Sequence, residues 1–285
     1  MGMHILVSGG AGFIGSHLCK RLVDEGNTVV CLDNLITGNK RNIQELLKNN
    51  RFIFLEGDIC DENIYLTLPD YTFEQIYHLA SPASVTFIVE YPVSAALPNS
   101  VGTIKLLELA RKLGSTFFFA SSSETYGDPK MHPQKESYWG NVNPVGVRSG
   151  YDEGKRFGEA LCMAYYRQFS IPIKIARVFN TYGPYSSPSD SRIIPRLMTQ
   201  ALKNQPLSVH GDGMQTRSFC YVTDLVDGFI KLMNSKETGP VNIGNPDEYK
   251  IVDVAKKIIK LTNSSSSIEF TKRQKKILKK QSRSI

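Results

Sequence analysis

The sequence contains no long hydrophobic run. Its longest apolar runs, such as residues 5–7 and 116–120, are far shorter than the roughly 20 apolar residues that a membrane-spanning helix needs. The chain also begins directly with a strand pattern over residues 1–8, without the basic and then apolar order of a secretory signal. These absences exclude a membrane span and predict a protein with no membrane partner.

Cysteine is sparse, with five residues that are far apart, odd in number and without the spacing of metal ligands. This pattern predicts neither a disulfide framework nor a metal site. A reducing, cytoplasmic location with structural cysteines is therefore expected. The hydrophobic fraction of 41% and the charged fraction of 21% are ordinary for a globular protein with a sizeable core.

Acidic residues are absent from the last segment, 271–285, which holds seven Lys and Arg residues. The formal net charge is +7, so the rest of the chain carries no net charge. The basicity therefore belongs to a tail, and no nucleic-acid-binding face is predicted. A short basic tail can bind polyanions weakly or can simply be solvated.

Short apolar runs alternate with helical patterns. Strand patterns cover 4–8, 28–32, 51–56, 75–78, 116–121 and 173–179, and helical patterns cover 13–25, 93–113, 151–169, 193–203, 222–234 and 251–261. This alternation predicts an α/β fold with a doubly wound parallel sheet of the Rossmann type and ligands at the carboxyl edge. We expect a nucleotide-binding domain over 1–180, an interleaved, smaller α/β substrate lobe over 181–270, and a divergent tail over 271–285.

A glycine-rich turn, Ser8-Gly-Gly-Ala-Gly-Phe-Ile-Gly15, joins the first strand to the first helix. Gly9 allows the tight turn, Gly12 allows the backbone to approach a pyrophosphate, and Gly15 allows the helix to pack closely. The second strand ends near Asp33, whose carboxylate can bind ribose hydroxyls and repels a 2′-phosphate, so NAD is favoured over NADP. Asp58 after the third strand is a weaker candidate for the adenine end, with a turn or cap role as the alternative.

Tyr151 and Lys155 lie four residues apart on one helix face after the fifth strand. We expect the ammonium and a bound nicotinamide to lower the pKa of the phenol toward neutrality, so that Tyr151 exchanges a proton with a substrate hydroxyl. The fifth strand ends in Ser122 and Glu124, which can bind the reacting hydroxyl and position a group or a water. A serine-rich turn without a catalytic role is the alternative for this segment.

These motifs resemble the extended short-chain dehydrogenase/reductases, and more narrowly the UDP-glucuronate decarboxylases of the NAD-dependent epimerase/dehydratase family. The resemblance extends over about residues 3 to 270, and the stretches Tyr-Trp-Gly-Asn-Val-Asn-Pro (138–144) and Tyr-Asp-Glu-Gly-Lys (151–155) are specific to that subfamily. Further matching stretches are 33–38, 40–42, 77–84, 123–129, 148–156, 176–184, 211–219 and 240–246.

The resemblance implies decarboxylation of UDP-glucuronate to UDP-xylose through a 4-keto sugar, with NAD regenerated in each cycle, and a homodimer paired through helices near 93–113 and 151–169. Asn180 resembles a diphosphate contact, and Arg192 and Arg217 resemble diphosphate or uridine contacts. Related dehydratases carry an acid where Ser123 stands. The implied cofactor contacts are Gly9, Gly12, Phe13, Ile14, Gly15, Asp33, Asn34, Asp58, Ile59, Leu79, Ala80, Ser81, Asn99, Tyr151 and Lys155.

The sequence departs from this family at three places. Tyr185 stands where the family has Arg. The segment 85–98 replaces family His-Tyr and Lys residues with Thr86, Phe87, Ser94 and Leu97. The residues after 270 do not match a family segment that contains a functional Arg, which suggests a truncated lobe and a frame-shifted tail. A 4-epimerase, a dehydratase and a non-catalytic nucleotide-binding remnant therefore stay open as alternatives.

Overall fold

The computed structural model describes residues 2–272, and a parallel sheet lies at its centre. The strands are β1 (His4–Ser8), β2 (Thr28–Asp33), β3 (Phe52–Glu56), β4 (Gln75–His78), β5 (Thr116–Ser122), β6 (Ile173–Val178), β7 (Thr181–Tyr182), β8 (Leu207–His210), β9 (Thr216–Ser218), β10 (Cys220–Tyr221), β11 (Pro240–Ile243), β12 (Glu248–Lys250) and β13 (Ile268–Thr271). Seven of them form the sheet, in the order β11-β6-β5-β4-β1-β2-β3, and every pairing within it is parallel.

Helices cover both faces of this sheet. The α-helices are α1 (Phe13–Asp24), α2 (Val85–Glu90), α3 (Pro92–Leu97), α4 (Thr103–Leu113), α5 (Ser149–Phe169), α6 (Ile193–Leu202), α7 (Val222–Met233) and α8 (Ile251–Thr262). Leu18 of α1 and Phe229 of α7 are buried in one core, and Leu107 of α4 and Cys162 of α5 are buried in the other. Because both faces are covered, inner strands such as β1 and β5 are buried along most of their length, as residues 5–7 and 117–119 show, instead of alternating.

The structure confirms the predicted α/β class and the parallel sheet. The predicted strands and helices are present, with ends that differ by only one or two residues. The helical pattern over 93–113 is one helical run in which a π-helical segment, Pro98–Gly102, joins α3 to α4. Directly after Asn180, Thr181–Tyr182 forms a short strand with β10, which no strand pattern in the sequence predicted.

The smaller lobe has a core of its own between α6, α8 and β8, centred on Leu197, Val209 and Ala255. Strand β11 pairs with β6, so the second half of the chain also contributes to the central sheet. The predicted tail begins one residue later than expected, because Thr271 ends β13 and pairs with His210. Residues 273–285 lie outside the described residues.

The carboxyl ends of the parallel strands meet at one edge of the sheet, where the turns after β1, β2, β4 and β5 lie next to one another. In a doubly wound sheet, this edge is where ligands bind. None of the helices within residues 2–272 is both long and apolar enough to cross a membrane.

Candidate active site

One large cavity opens at this edge, with a volume of about 1140 Å³. It brings together all but two of the residues that were predicted from the sequence to bind cofactor or substrate or to act in catalysis. Asn99 and Arg217 are the exceptions. The nominated residues that line it are Gly9, Gly12, Phe13, Ile14, Gly15, Asp33, Asn34, Asp58, Ile59, Leu79, Ala80, Ser81, Ser122, Glu124, Tyr151, Lys155, Asn180 and Arg192.

The glycine turn forms one wall of the cavity through its backbone. Gly9 has φ +77°, and a Cβ there would lie 2.6 Å from the backbone nitrogen of Ala80. A Cβ on Gly15 would overlap the carbonyl oxygen of Gly9, so this glycine lets α1 pack against the turn itself. A Cβ on Gly12 would meet only that carbonyl oxygen, at 3.2 Å, and would otherwise extend into open space. Gly12 therefore leaves room beside the N-terminus of α1, where an anionic ligand is favoured.

Asp33 lies at the end of β2 and is buried. Its carboxylate accepts hydrogen bonds from the backbone N–H groups of Ala11 (2.9 Å) and Leu35 (2.8 Å). Burial raises the pKa of Asp33, and these backbone donors oppose that shift. The same carboxylate thus fixes the glycine turn and presents negative charge to the cavity. That charge disfavours a ligand with an additional phosphate at this point.

Asp58 makes the turn-cap contact that was one of its two predicted roles, and its role at the adenine end stays a prediction. One carboxylate oxygen accepts a hydrogen bond from the backbone N–H of Cys60 (2.7 Å), as in a turn cap. The other accepts a hydrogen bond from the side chain of Asn34 (2.9 Å). Both side chains line the cavity. The cap orients Asp58, which adds a second carboxylate to the lining of the cavity.

These residues fit a dinucleotide. Gly12 leaves space for a pyrophosphate, and Asp33 stands where ribose hydroxyls can donate to it. The hydroxyl of Ser81 also lines the cavity, is buried, and has no hydrogen-bond partner within residues 2–272. Buried polar atoms are rarely left unpaired, so a ligand that accepts or donates at Ser81 would complete this wall.

Tyr151 and Lys155 project from α5 into the same cavity and are buried. The ammonium of Lys155 donates to the carbonyl oxygen of Ala120 (2.6 Å) and lies 5.7 Å from the centroid of the Tyr151 ring. Burial raises the pKa of Tyr151 to about 12, and a hydrogen bond with Ser122 opposes that shift. Burial also lowers the pKa of Lys155 to about 7.

Burial therefore dominates the pKa of Tyr151 in this structure, and the lowering that a bound nicotinamide would cause stays a prediction. Removal of the phenolate from water costs more than the nearby positive charges return. Lys155 itself loses its proton more easily than usual, so its ammonium is a weak source of such charge. The position of Tyr151 beside Ser122 at the end of β5 agrees with the prediction.

Glu124 belongs to a cluster of charged side chains next to Tyr151. Its carboxylate lies 2.9 Å from a guanidinium nitrogen of Arg148, which also lies 3.5 Å from the carboxylate of Asp152. Burial raises the pKa of Asp152 to about 6. Arg148 was not among the nominated residues. The feature of the sequence that could have indicated Arg148 is its position three residues before Tyr151, at the start of α5.

The three substrate-side residues separate into two groups. Asn180 and Arg192 line the large cavity, and Arg192 is paired with Asp190 at 2.6 Å. Arg217 is exposed on β9 and lines a second, adjoining cavity, to which Asn180 and Arg192 also contribute. Asn180 and Arg192 therefore stand between the cofactor cavity and Arg217.

Asn99 lies behind the cavity wall. It is fully buried, and its amide donates to the carbonyl oxygen of Ala95 (2.9 Å). Its side-chain oxygen has no partner within the described part of the chain. A contact between Asn99 and the cofactor stays a prediction, and the structure gives Asn99 a packing role next to Gly154 of the catalytic helix.

Tyr185, the departure from the family Arg, is half-exposed on the rim of the cavity with φ +68°. Its ring lies 5.2 Å from the ring of His17 on α1, and His17 lies 6.0 Å from the ring of Phe13. An aromatic row therefore stands where the family has a positive charge.

The sheet, the glycine turn and the Tyr/Lys pair together define a nucleotide-binding enzyme of the extended short-chain dehydrogenase/reductase type. The model of the NAD dependent epimerase/dehydratase family matches residues 5–244, and the chain belongs to that family.

The relatives are nucleotide-sugar enzymes. The chain is 48% identical over 269 residues to UDP-glucuronic acid decarboxylase 3 of Arabidopsis thaliana, covering 94% of this chain and 77% of that protein. It is 45% identical to UDP-glucuronic acid decarboxylase 1 of Xenopus tropicalis, covering 93% of this chain and 62% of that protein.

Solved structures agree in fold. The epimerase Mth375 of Methanothermobacter thermautotrophicus superposes with a TM-score of 0.88 at 29% identity, over 96% of this chain and 81% of that chain. The UDP-glucuronic acid 4-epimerase of Bacillus cereus, in complex with UDP-glucuronic acid and NAD, superposes with a TM-score of 0.82 at 33% identity, over 95% and 86% of the two chains.

Proposed function

We propose that this chain is an NAD-dependent carboxy-lyase that converts UDP-glucuronate to UDP-xylose. The observation that carries the proposal is the convergence of Tyr151, Ser122 and Glu124 on one wall of a cavity that fits a dinucleotide. The 48% identity to a UDP-glucuronic acid decarboxylase over 94% of the chain supports the choice of substrate.

The proposed cycle begins at the C4 hydroxyl of the sugar. NAD, when bound, supplies a hydride acceptor for C4 and later returns the same hydride. Tyr151 removes the proton of the C4 hydroxyl, and Ser122 holds the oxygen by a hydrogen bond. Because the pKa of Tyr151 is about 12 without ligand, this step needs a cationic neighbour in the assembled site to stabilise the phenolate.

The resulting 4-ketone is beta to the C6 carboxylate. The bond between C5 and C6 breaks, carbon dioxide leaves, and the electron pair moves through C5 to the C4 oxygen. Ser122 and the protonated Tyr151 stabilise that oxygen by hydrogen bonds. A proton then adds at C5, and we assign Glu124, held by Arg148 at 2.9 Å, to position the water that delivers it.

Ser123 supports decarboxylation over loss of water from the sugar. Expulsion of a hydroxide requires a general acid, and the side chain between Ser122 and Glu124 is a hydroxyl that lines the cavity. The acidic side chain that the related dehydratases carry at this position is therefore replaced by a group that cannot serve as a strong acid.

The remaining assignments are part of the same proposal. We assign the cofactor contacts to the glycine turn and to the side chains around Asp33, and the diphosphate to Asn180, Arg192 and Arg217.

We propose a cytoplasmic homodimer that pairs through the run α3–α4 and through α5. Large apolar side chains exposed on these helices support that pairing: Val93, Leu97, Val101, Ile104, Phe157, Tyr166 and Phe169. Sedimentation of the full chain tests the dimer.

The test of the activity is incubation of the purified protein with NAD and either UDP-glucuronate or UDP-glucose, followed by mass spectrometry and NMR spectroscopy of the nucleotide-sugar. We expect UDP-glucuronate to lose carbon dioxide and UDP-glucose to stay unchanged. A product of unchanged mass but inverted C4 would support a 4-epimerase instead. Bound NAD without any turnover would contradict the proposal and identify a non-catalytic nucleotide-binding protein.

A further inference from the structure

A second cavity, of about 1000 Å³, adjoins the first. The two share Val85, Asn180, Thr181 and Arg192, and the second extends from there between α6, β8 and β9. No Asp or Glu of the described chain lines it, whereas four cationic side chains do. These are Arg192, Arg196, Arg217 and Lys272.

Arg196, at the far end of this cavity, is held by a histidine. One guanidinium nitrogen lies 2.8 Å from Nε2 of His210, and the other donates to the carbonyl oxygen of Ser208 (3.2 Å). Because a guanidinium only donates, Nε2 of His210 accepts and the imidazole is neutral. Its other nitrogen, Nδ1, then donates to the hydroxyl of Thr271 (2.9 Å).

This chain of contacts fixes the orientation of a positive charge that lacks a carboxylate partner. Arg196 makes no ion pair within residues 2–272, and its Nε is buried without a hydrogen-bond partner. Burial together with the charge of Arg196 lowers the pKa of His210, which keeps the imidazole neutral. Each terminal nitrogen of Arg196 retains a second N–H, so the end of the cavity has donors in excess.

The order of groups in a nucleotide-sugar decides which acceptor these donors meet. With the sugar at Tyr151 and the diphosphate near Asn180 and Arg192, the far end of the second cavity receives the nucleobase. The base edge that suits a guanidinium is one with a carbonyl oxygen. Uracil presents a carbonyl at its C4, whereas cytosine presents an amine, which donates and would face other donors.

We propose that Arg196, oriented by His210, is a specificity-determining residue that donates to the carbonyl oxygen at C4 of the base and so selects uracil over cytosine. This inference rests on the proposed nucleotide-sugar function and adds a residue to it. A site built to hydrogen-bond one group rejects an analogue with the wrong group, because its own buried donors are left unpaired.

The test is calorimetric binding of UDP and CDP to the full-length protein and to Arg196→Gln. We expect the wild type to prefer UDP by about tenfold or more, as one well-placed hydrogen bond allows. In Arg196→Gln the preference should fall below about threefold, because an amide both donates and accepts. If Arg196→Gln weakens UDP and CDP equally, Arg196 acts on a group that the two nucleotides share, such as the phosphates or the C2 carbonyl, and the proposal is overturned. An unchanged preference overturns it as well.

Two variants of His210 form a matched pair and serve if Arg196→Gln does not fold. His210→Gln retains an acceptor for Arg196 and should keep the preference for UDP, whereas His210→Leu removes the acceptor and should reduce it. Equal preferences in the two variants overturn the role of His210. NAD binding reports that each variant is folded. Wild type that binds NAD but neither UDP nor CDP contradicts the proposed function, whereas UDP binding without base preference contradicts only this inference.

Discussion

The proposed cofactor end and the proposed substrate end of the site are built from different kinds of chemical group. The cofactor end consists of backbone at the glycine turn and of two carboxylates, Asp33 and Asp58, held by short hydrogen bonds. The substrate end consists of long cationic side chains on the smaller lobe, among them Arg192 and Arg217. Tyr151 stands where the two ends meet.

This difference teaches how each end selects its ligand. Backbone groups that are fixed by the sheet select a ligand by its shape and by close approach. A single added methyl group is enough to change how the ligand fits. Cationic side chains select by charge and by hydrogen-bond pattern, and they tolerate changes in shape. Substitutions at the two ends should therefore fail in different ways, and the following predictions are ordered from the largest expected effect to the smallest.

The largest effect is expected at the junction. Tyr151→Phe keeps the ring but removes the group that takes and returns the C4 proton, and we expect turnover of UDP-glucuronate to fall by about 10² to 10⁴-fold. The content of bound NAD should stay within about twofold of wild type, since the phenol is one of many contacts. Steady-state kinetics and the NAD content of the purified variant check this. Equal turnover in both proteins would show that Tyr151 is not the base.

At the cofactor end, Gly12→Ala and Gly15→Ala form a matched pair. The added methyl at position 15 overlaps the carbonyl oxygen of Gly9, whereas at position 12 it meets only that oxygen, at 3.2 Å, and open space. We expect Gly15→Ala to lower the free energy of unfolding by about 1 to 3 kcal/mol. Gly12→Ala should fold as wild type and bind NAD about tenfold or more weakly, because the methyl lies in the ligand space.

Urea unfolding without cofactor and titration of the cofactor separate these two outcomes. If Gly12→Ala loses stability while Gly15→Ala does not, the assignment of the two glycines is reversed. If both variants bind NAD as tightly as wild type, the glycine turn is not the pyrophosphate site.

Asp33→Ser tests the charge at the cofactor end. Removal of the carboxylate eliminates the repulsion of a 2′-phosphate, so we expect the ratio of NADP to NAD affinity to rise by about tenfold. Part of the NAD affinity should also be lost, because Asp33 holds Ala11 and Leu35. Asp58→Ser is the control, since its carboxylate caps a turn farther along the chain and should alter the ratio less. A ratio that does not change in Asp33→Ser would remove Asp33 from cofactor selection.

Per pH unit, the smallest effect concerns Lys155 in the protein without cofactor. Its pKa of about 7 lies below the ordinary value of 10.5. Between these pH values the unfolded chain binds a proton that the folded chain does not. The contribution of Lys155 to the free energy of unfolding should therefore rise with pH across this window, by about 1 kcal/mol per pH unit. Comparison with Lys155→Met in urea at several pH values checks the slope, and a difference that is flat or falls with pH contradicts it.

Local motifs made much of this molecule predictable. The glycine turn, Asp33 and the Tyr151/Lys155 pair each depend on neighbours close in sequence, and their strands and helices lie where periodicity placed them. The pKa of Tyr151 was not predictable in the same way. It depends on burial against residues of other elements, and burial outweighs the nearby charges.

The contacts that the sequence did not reveal join residues that are far apart in the chain and belong to no recognisable motif. Arg148, which lies 24 residues after Glu124 in the chain, holds its carboxylate, and Arg196 meets His210 only because α6 packs on β8. Neither pair has a spacing that signals contact. Asn99 lies in the π-helical segment Pro98–Gly102, where it packs between helices, and its contact with the cofactor stays a prediction.

The most direct test of the whole account is turnover of UDP-glucuronate in deuterium oxide with less NAD than substrate. The proposed cycle returns the hydride to C4 and takes the new C5 hydrogen from solvent. The account therefore predicts a UDP-pentose that carries one solvent deuterium, at C5, with more product than cofactor. A pentose without deuterium, or reduced cofactor that accumulates in proportion to product, would contradict it.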